Sequence, residues 1–228
     1  MSLGLRKWVL VLLLQAAVLL PAIALAGPKY PSPSTLWTAR QYTDFYFVHF
    51  NTHLALPHLR NAESRALFER LTDRDNVERI LSASSPVEEK QLQLRMILAV
   101  IGGVRASYNL AVVIGEPLQE ELTQIQVFQL YLAGATAELA GADMKNSGTA
   151  LKTAVFGVVQ SLSEPSYSGA QLTSLSDAVA RRYLVLSPLF AESERRDLRL
   201  RVAALQRSQT NPNVALALAR LRATLETD

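Results

Sequence analysis

Histidine is scarce in this chain, and all of it is clustered: the three residues are His49, His53 and His58. His49 and His53 stand four apart, so on a helix both imidazoles project from one face. That is the spacing at which a helix hands two ligands to zinc or copper. Tyr46 shares the face, whereas Asp44 points the opposite way, so a third ligand has to come from another helix, with Glu63 and Glu138 as candidates. Read as a metal pair, His49 and His53 imply a divalent transition metal and a metal-binding protein or metalloenzyme. Read as packing, they are amphipathic side chains beside Tyr42 and Tyr46 at a core boundary. A pH-sensitive contact is a third use, since histidine titrates near neutrality.

Other catalytic constellations are missing. There is no cysteine, no G-x-S-x-G elbow, no S-x-x-K, no H-E-x-x-H and no glycine loop to cradle phosphate. The balance leans away from an enzyme, and no cofactor is expected beyond that metal. A second polar set is Arg95, Gly102 and Asn109, spaced by seven. They border a small-residue patch, Ala99, Gly102, Gly103 and Ala106, at i, i+3, i+4, i+7 spacing. The plain account is close helix packing with Arg95 and Asn109 bonded internally. The functional account is a polar groove beside a glycine floor that holds a ligand or partner.

Helices must position both sets. Pro86 to Ile114 reads as one long helix, with Ser85 as cap, Pro86 in the first turn, Glu88 completing a capping box and Gly115-Pro117 ending it. Its apolar residues leave almost no wet face, which predicts a helix buried on several sides. Arg95, Arg105 and Asn109 argue against a bilayer span. A second long helix opens at Pro117 and runs to about Lys145, forming an antiparallel hairpin with the first. Its segment LAGATAELAGA is small enough to face the glycine patch. Ahead of the hairpin, Ser34 is the expected cap of a helix reaching Leu56, and two short helices follow, the second from a capping-box match at Thr72 to Asp75. Beyond it, apolar period 3.6 recurs at Leu151 to Leu162, Leu172 to Leu186, Leu198 to Leu205 and Val214 to Leu225. Ser168 with Gln171, and Asn211 with Pro212, mark two of the starts. No stretch alternates with period two. The expected fold is all-α, a single-domain bundle of seven or eight helices around a long central helical hairpin.

The N-terminus carries an address. Arg6 and Lys7 precede an apolar run from Trp8 to Leu20, Pro21 breaks it, and Ala24-Leu25-Ala26 offers small residues to a signal peptidase. Residues 1–26 are the expected signal peptide, cleaved near Ala26. Residues 27–33 form a proline-rich tether, and 34–228 the helical domain. Export without cysteine fits a periplasmic or secreted bacterial protein. Removing 26 of 228 residues leaves 202, and removing two of 23 basic residues leaves 21 against 20 acidic, a net charge of +1. That balance gives no reason to expect a nucleic acid. Seven arginines between Phe190 and Arg222 raise a peripheral contact with anionic lipid. The resulting expectation is an exported, non-enzymatic helical domain that binds an envelope partner protein or an apolar ligand, with metal binding at His49 and His53 as the alternative.

Overall fold

The computed structural model describes residues 31–51, 56–140 and 148–227. The fold is an all-α helical bundle with no strand among those residues. In chain order the helices are α1 (Ala39–Asn51), α2 (Ala62–Leu71), α3 (Asp75–Ser82), α4 (Val87–Val113), α5 (Gln119–Ala140), α6 (Gly148–Ser161), α7 (Gly169–Leu186), α8 (Glu192–Ser208) and α9 (Pro212–Glu226). A 3-10 turn, Ser187–Leu189, joins α7 to α8. The expected signal segment and most of the expected tether lie outside the described residues.

Several helix ends follow the local chemistry. Ser168 Oγ accepts from Gln171 N–H at 3.3 Å while Gln171 Oε1 accepts from Ser168 N–H at 2.7 Å, a complete capping box. Asn211 Oδ1 accepts from Asn213 N–H and Val214 N–H, with Pro212 in the first turn. Gly115 takes φ +99° between the hairpin helices, where a side chain would be strained. Three starts differ from expectation. α1 begins at Ala39, because Thr38 and Gln41 form the reciprocal pair (3.2 and 2.8 Å) instead of Ser34 acting as cap. α4 begins after Pro86 without a side-chain cap, so the Ser85–Glu88 box is not made. α3 likewise has no side-chain cap at Arg74; Asp73 Oδ1 accepts from Asp75 N–H instead.

The hairpin organises the bundle, but its second helix is the central one. α5 packs against α4 on one side and α7 on the other, with α6 on a third. Every residue from Phe128 to Ala137 is buried. α4 is not enclosed. Its inner face, Leu94, Ile97, Ile101, Val104 and Tyr108, is in the core, while Leu92, Met96, Leu110 and Val113 stand exposed on the outer one. The reason lies in the supply of neighbours: α1 and α5 cover two sides of α4, and nothing among the described residues covers the third. On length and composition alone α4 passes for a membrane span, yet its inner face is committed to the core.

The small residues are used differently from expectation. At Gly103 an added Cβ would lie 2.7 Å from the Tyr46 ring of α1, so this glycine permits the α1–α4 contact. At Gly102 it would meet only Gln129 Nε2, at 3.7 Å. Gly134 on α5 lies under the Arg182 side chain of α7 and not against the glycines of α4.

A buried polar network fixes α1 to the α2–α3 corner. Asn76, fully buried, accepts from Trp37 N–H (2.6 Å) and donates to Tyr42 Oη and Arg70 O (both 2.8 Å). Tyr42 Oη in turn donates to Leu71 O at 3.0 Å. Below it, the Tyr108 hydroxyl donates to Pro57 O at 2.6 Å, and buried Glu121 accepts from Leu59 N–H at 2.9 Å, tying the 57–60 turn to the hairpin. Burial pushes the Tyr42 and Tyr108 phenols well above the usual tyrosine range.

Candidate functional site: a cleft between α4 and α6

α4 and α6 both pack on α5 but meet each other only marginally, so a cleft of ≈ 590 Å³ opens between them. Helical period sets its walls. Arg105, Asn109 and Val112 to Val113 recur at i, i+4 and i+7 to i+8 along α4, and Thr153, Phe156 to Gly157 and Gln160 along α6. Leu110 extends the α4 wall to the exposed rim. The segment after α6 closes one end with Glu164, Ser166 and Tyr167, and Gln126 of α5 with Ser161 forms the polar floor.

Arg105 dominates the electrostatics. Its guanidinium lies on Gly157: a Cβ there would sit 1.9 Å from Nη1 and 3.0 Å from Cζ. A glycine in mid-helix costs about 1 kcal/mol relative to alanine, and here it makes the seat for a cation. Among the described residues, Nε of Arg105 is buried without a hydrogen-bond partner and no carboxylate pairs with the side chain. Burial draws its pKa below the usual arginine value, opposed by nearby Tyr167. An unpaired cation in a partly dry site is an unfavourable arrangement that a ligand anion would relieve.

Two more polar groups end in the cleft unused. Gln126 is 2% exposed; its Nε2 donates to Ser161 Oγ at 2.7 Å, but its Oε1 is buried without a donor. Ser161 Oγ donates onward to Gly157 O at 3.1 Å. Tyr167 is 7% exposed, and its hydroxyl, close to Ser161, has no hydrogen-bond partner among the described residues. Burial raises the Tyr167 pKa, Glu164 adding to the rise and Ser161 and Arg105 opposing it. Buried polar groups normally find partners, so this concentration of open ones marks the site.

The residues singled out from sequence fall in several places. Asn109 is exposed and lines this cleft. Gly102 lies two turns before Asn109, near Gln129, and Arg95 two turns further back, with its Nε buried and unpartnered. Along an α-helix, Arg95 and Asn109 are about 21 Å apart, so one small ligand does not bridge them. His49 is within α1 and His53 lies outside the described residues. His58 sits in the turn before α2, its N–H donating to Ser64 Oγ and its carbonyl accepting from it. Glu138 is paired with Arg182 at 3.2 Å. Among the described residues no three His, Asp or Glu side chains converge as a metal site. Five of the seven C-terminal arginines have carboxylate partners: Arg195 and Arg199 on Glu192, Arg201 on Asp197, Arg220 on Asp177 and Arg222 on Glu226.

Sequence reasoning missed Gln126, Gly157 and Tyr167, and read Arg105 only as a cost to membrane insertion. One signal was present. Gly157 interrupts an otherwise clean helical run, and an isolated mid-helix glycine asks for a packing reason. Against known proteins, the chain matches no protein-family model, no curated protein and no solved structure.

Proposed function

We propose that the protein is an exported, non-enzymatic binding domain and that the α4–α6 cleft is where it takes an apolar ligand. The observation that carries this reading is a cleft of ≈ 590 Å³ with Leu110, Val112, Val113 and Phe156 on its walls and open polar groups at its floor. Small-molecule sites typically have roughly 300–1,000 Å³, a mostly apolar lining and a few polar groups that orient the ligand. The size favours a small molecule over a partner chain. Ser161 is engaged by Gln126 and Gly157, and no histidine among the described residues lines the cleft to activate it as a nucleophile, which favours binding over catalysis. Export rests on Arg6, Lys7, the Trp8 to Leu20 run and the Ala24-Leu25-Ala26 site.

Fluorescence titration with the neutral apolar probe N-phenyl-1-naphthylamine tests the reading. Saturable one-to-one binding is expected, and Thr153→Trp should abolish it. Thr153 is exposed at the mouth of the cleft, so the indole plugs the cleft without entering the core. Unchanged binding by the folded Thr153→Trp variant would remove the cleft from consideration.

A further inference from the structure

We infer that the cleft is specific for a monoanionic amphipath, a carboxylate on a short apolar body, whose head is held by Arg105 with Tyr167 and Gln126 behind it. The inference rests on the cleft being the binding site and adds the chemical class of the ligand. Among the described residues Arg105 is the single cation lining the cleft, and its Nε–H is buried and unbonded. A guanidinium offers two parallel N–H groups in the geometry that a carboxylate accepts. The Tyr167 hydroxyl supplies a further donor, from a side chain more than nine-tenths buried. Gln126 Oε1, equally buried, needs a donor, which a water carried in with a hydrated carboxylate supplies.

The charge count limits the ligand to one negative charge. One guanidinium neutralises one, and Glu164 on the end wall opposes a second, so a phosphate dianion would leave charge uncompensated in a partly dry site. The apolar body follows the wall from Val112 and Phe156 outward to Leu110 and Val113. Gly157 belongs to the same device. It sits in the interior of α6, and any side chain there displaces the guanidinium from its seat.

The test is displacement of N-phenyl-1-naphthylamine by octanoate, by 1-octanol and by octyl phosphate at pH 7.5. In the wild-type chain octanoate should bind at least about tenfold more tightly than either of the others. Arg105→Met should bring octanoate down to the level of octanol, read as the ratio of the two affinities within the variant. Gly157→Ala, which keeps the arginine but moves it, should have the same effect with an unimpaired melting temperature. Equal binding of octanoate and octanol by the wild type, with the probe bound and displaced, overturns the anion assignment and leaves the apolar cleft standing. A preference for octyl phosphate overturns the monoanion assignment. Failure of the probe to bind the wild type overturns the cleft reading and this inference with it.

Discussion

The seating of Arg105 on Gly157 makes a quantitative prediction that needs no ligand. In α6, Gly157→Ala should gain about 1 kcal/mol of helix propensity if nothing obstructs the new methyl group. In the wild-type chain something does: the Cβ would be 1.9 Å from Arg105 Nη1, so the guanidinium must leave its seat. Dislodging it forfeits the guanidinium's van der Waals contacts with α6, a cost of about 1 kcal/mol that offsets the propensity gain, and the expected net change is close to zero. Arg105→Met removes the obstruction and a buried N–H without a partner, an open donor that costs about 1–3 kcal/mol when fully buried. Because the side chain is only partly buried, the lower end applies, a gain of about 1 kcal/mol. Added to Arg105→Met, Gly157→Ala should then deliver its full propensity gain. For a chain of this size each kcal/mol corresponds to about 2–4 °C in Tm. Thermal melts of the four proteins, followed by circular dichroism, should give Gly157→Ala no shift in the wild-type background and a rise of about 2–4 °C in the Arg105→Met background. Equal shifts in both backgrounds would mean the two residues are not in contact, and the account of the cleft's cation would be wrong.

Other consequences are testable by stability or processing. Asn76→Ala orphans Trp37 N–H inside the core and should destabilise by about 1–3 kcal/mol in chemical denaturation. Gly103→Leu should cost about 1–3 kcal/mol through collision with Tyr46, and Gly102→Leu distinctly less, because a Cβ there meets only Gln129 at ordinary distance. Glu194 has its pKa lowered by Lys152 and by the Ala191 N–H. A depressed carboxylate adds stability above its unfolded value near 4.5 and loses it as pH falls through the folded value. Tm should therefore fall less steeply below pH 4.5 in Glu194→Gln than in the wild type. Mass spectrometry of exported protein should find Gly27 as the first residue; retention of Trp8 to Ala26 would mean that the segment anchors the chain.

The fold was legible because each helix carries its own period and, in most cases, its own start signal. Asn211-Pro212, Ser168 with Gln171 and Gly115-Pro117 act within a few residues, and their chemistry is the same in any tertiary setting. Where two local signals competed the reading slipped. Ser34 and Thr38 are both capable caps, and the Thr38–Gln41 pair prevails as the two-sided one. The burial of α4 was overestimated because a wheel reports how apolar a helix is, not how many neighbours it has. α4 is apolar on three sides but covered on two, whereas α5, with Gln126, Gln129 and Thr136 among its residues, is the enclosed helix. The cleft was legible only in fragments. Asn109 could be named from α4 alone, but Arg105 becomes unusual only beside Gly157, about fifty positions away, and Tyr167 only once the turn after α6 folds over Ser161. Such coincidences belong to the packing of α4 and α6 on α5, and no local spacing records them.

The central claim, that the cleft binds an anion through Arg105, is tested most directly at the Arg105 Nε–H itself. In a ¹⁵N-resolved proton spectrum this group has its own resonance, assignable by its loss in Arg105→Met. Octanoate should shift that resonance saturably, together with the backbone amides of Gly157 and Tyr167, and 1-octanol should move the two amides but leave the Nε–H nearly in place. An Nε–H resonance that does not respond to saturating octanoate, with shifts confined to residues outside the α4–α6 cleft, would contradict the account.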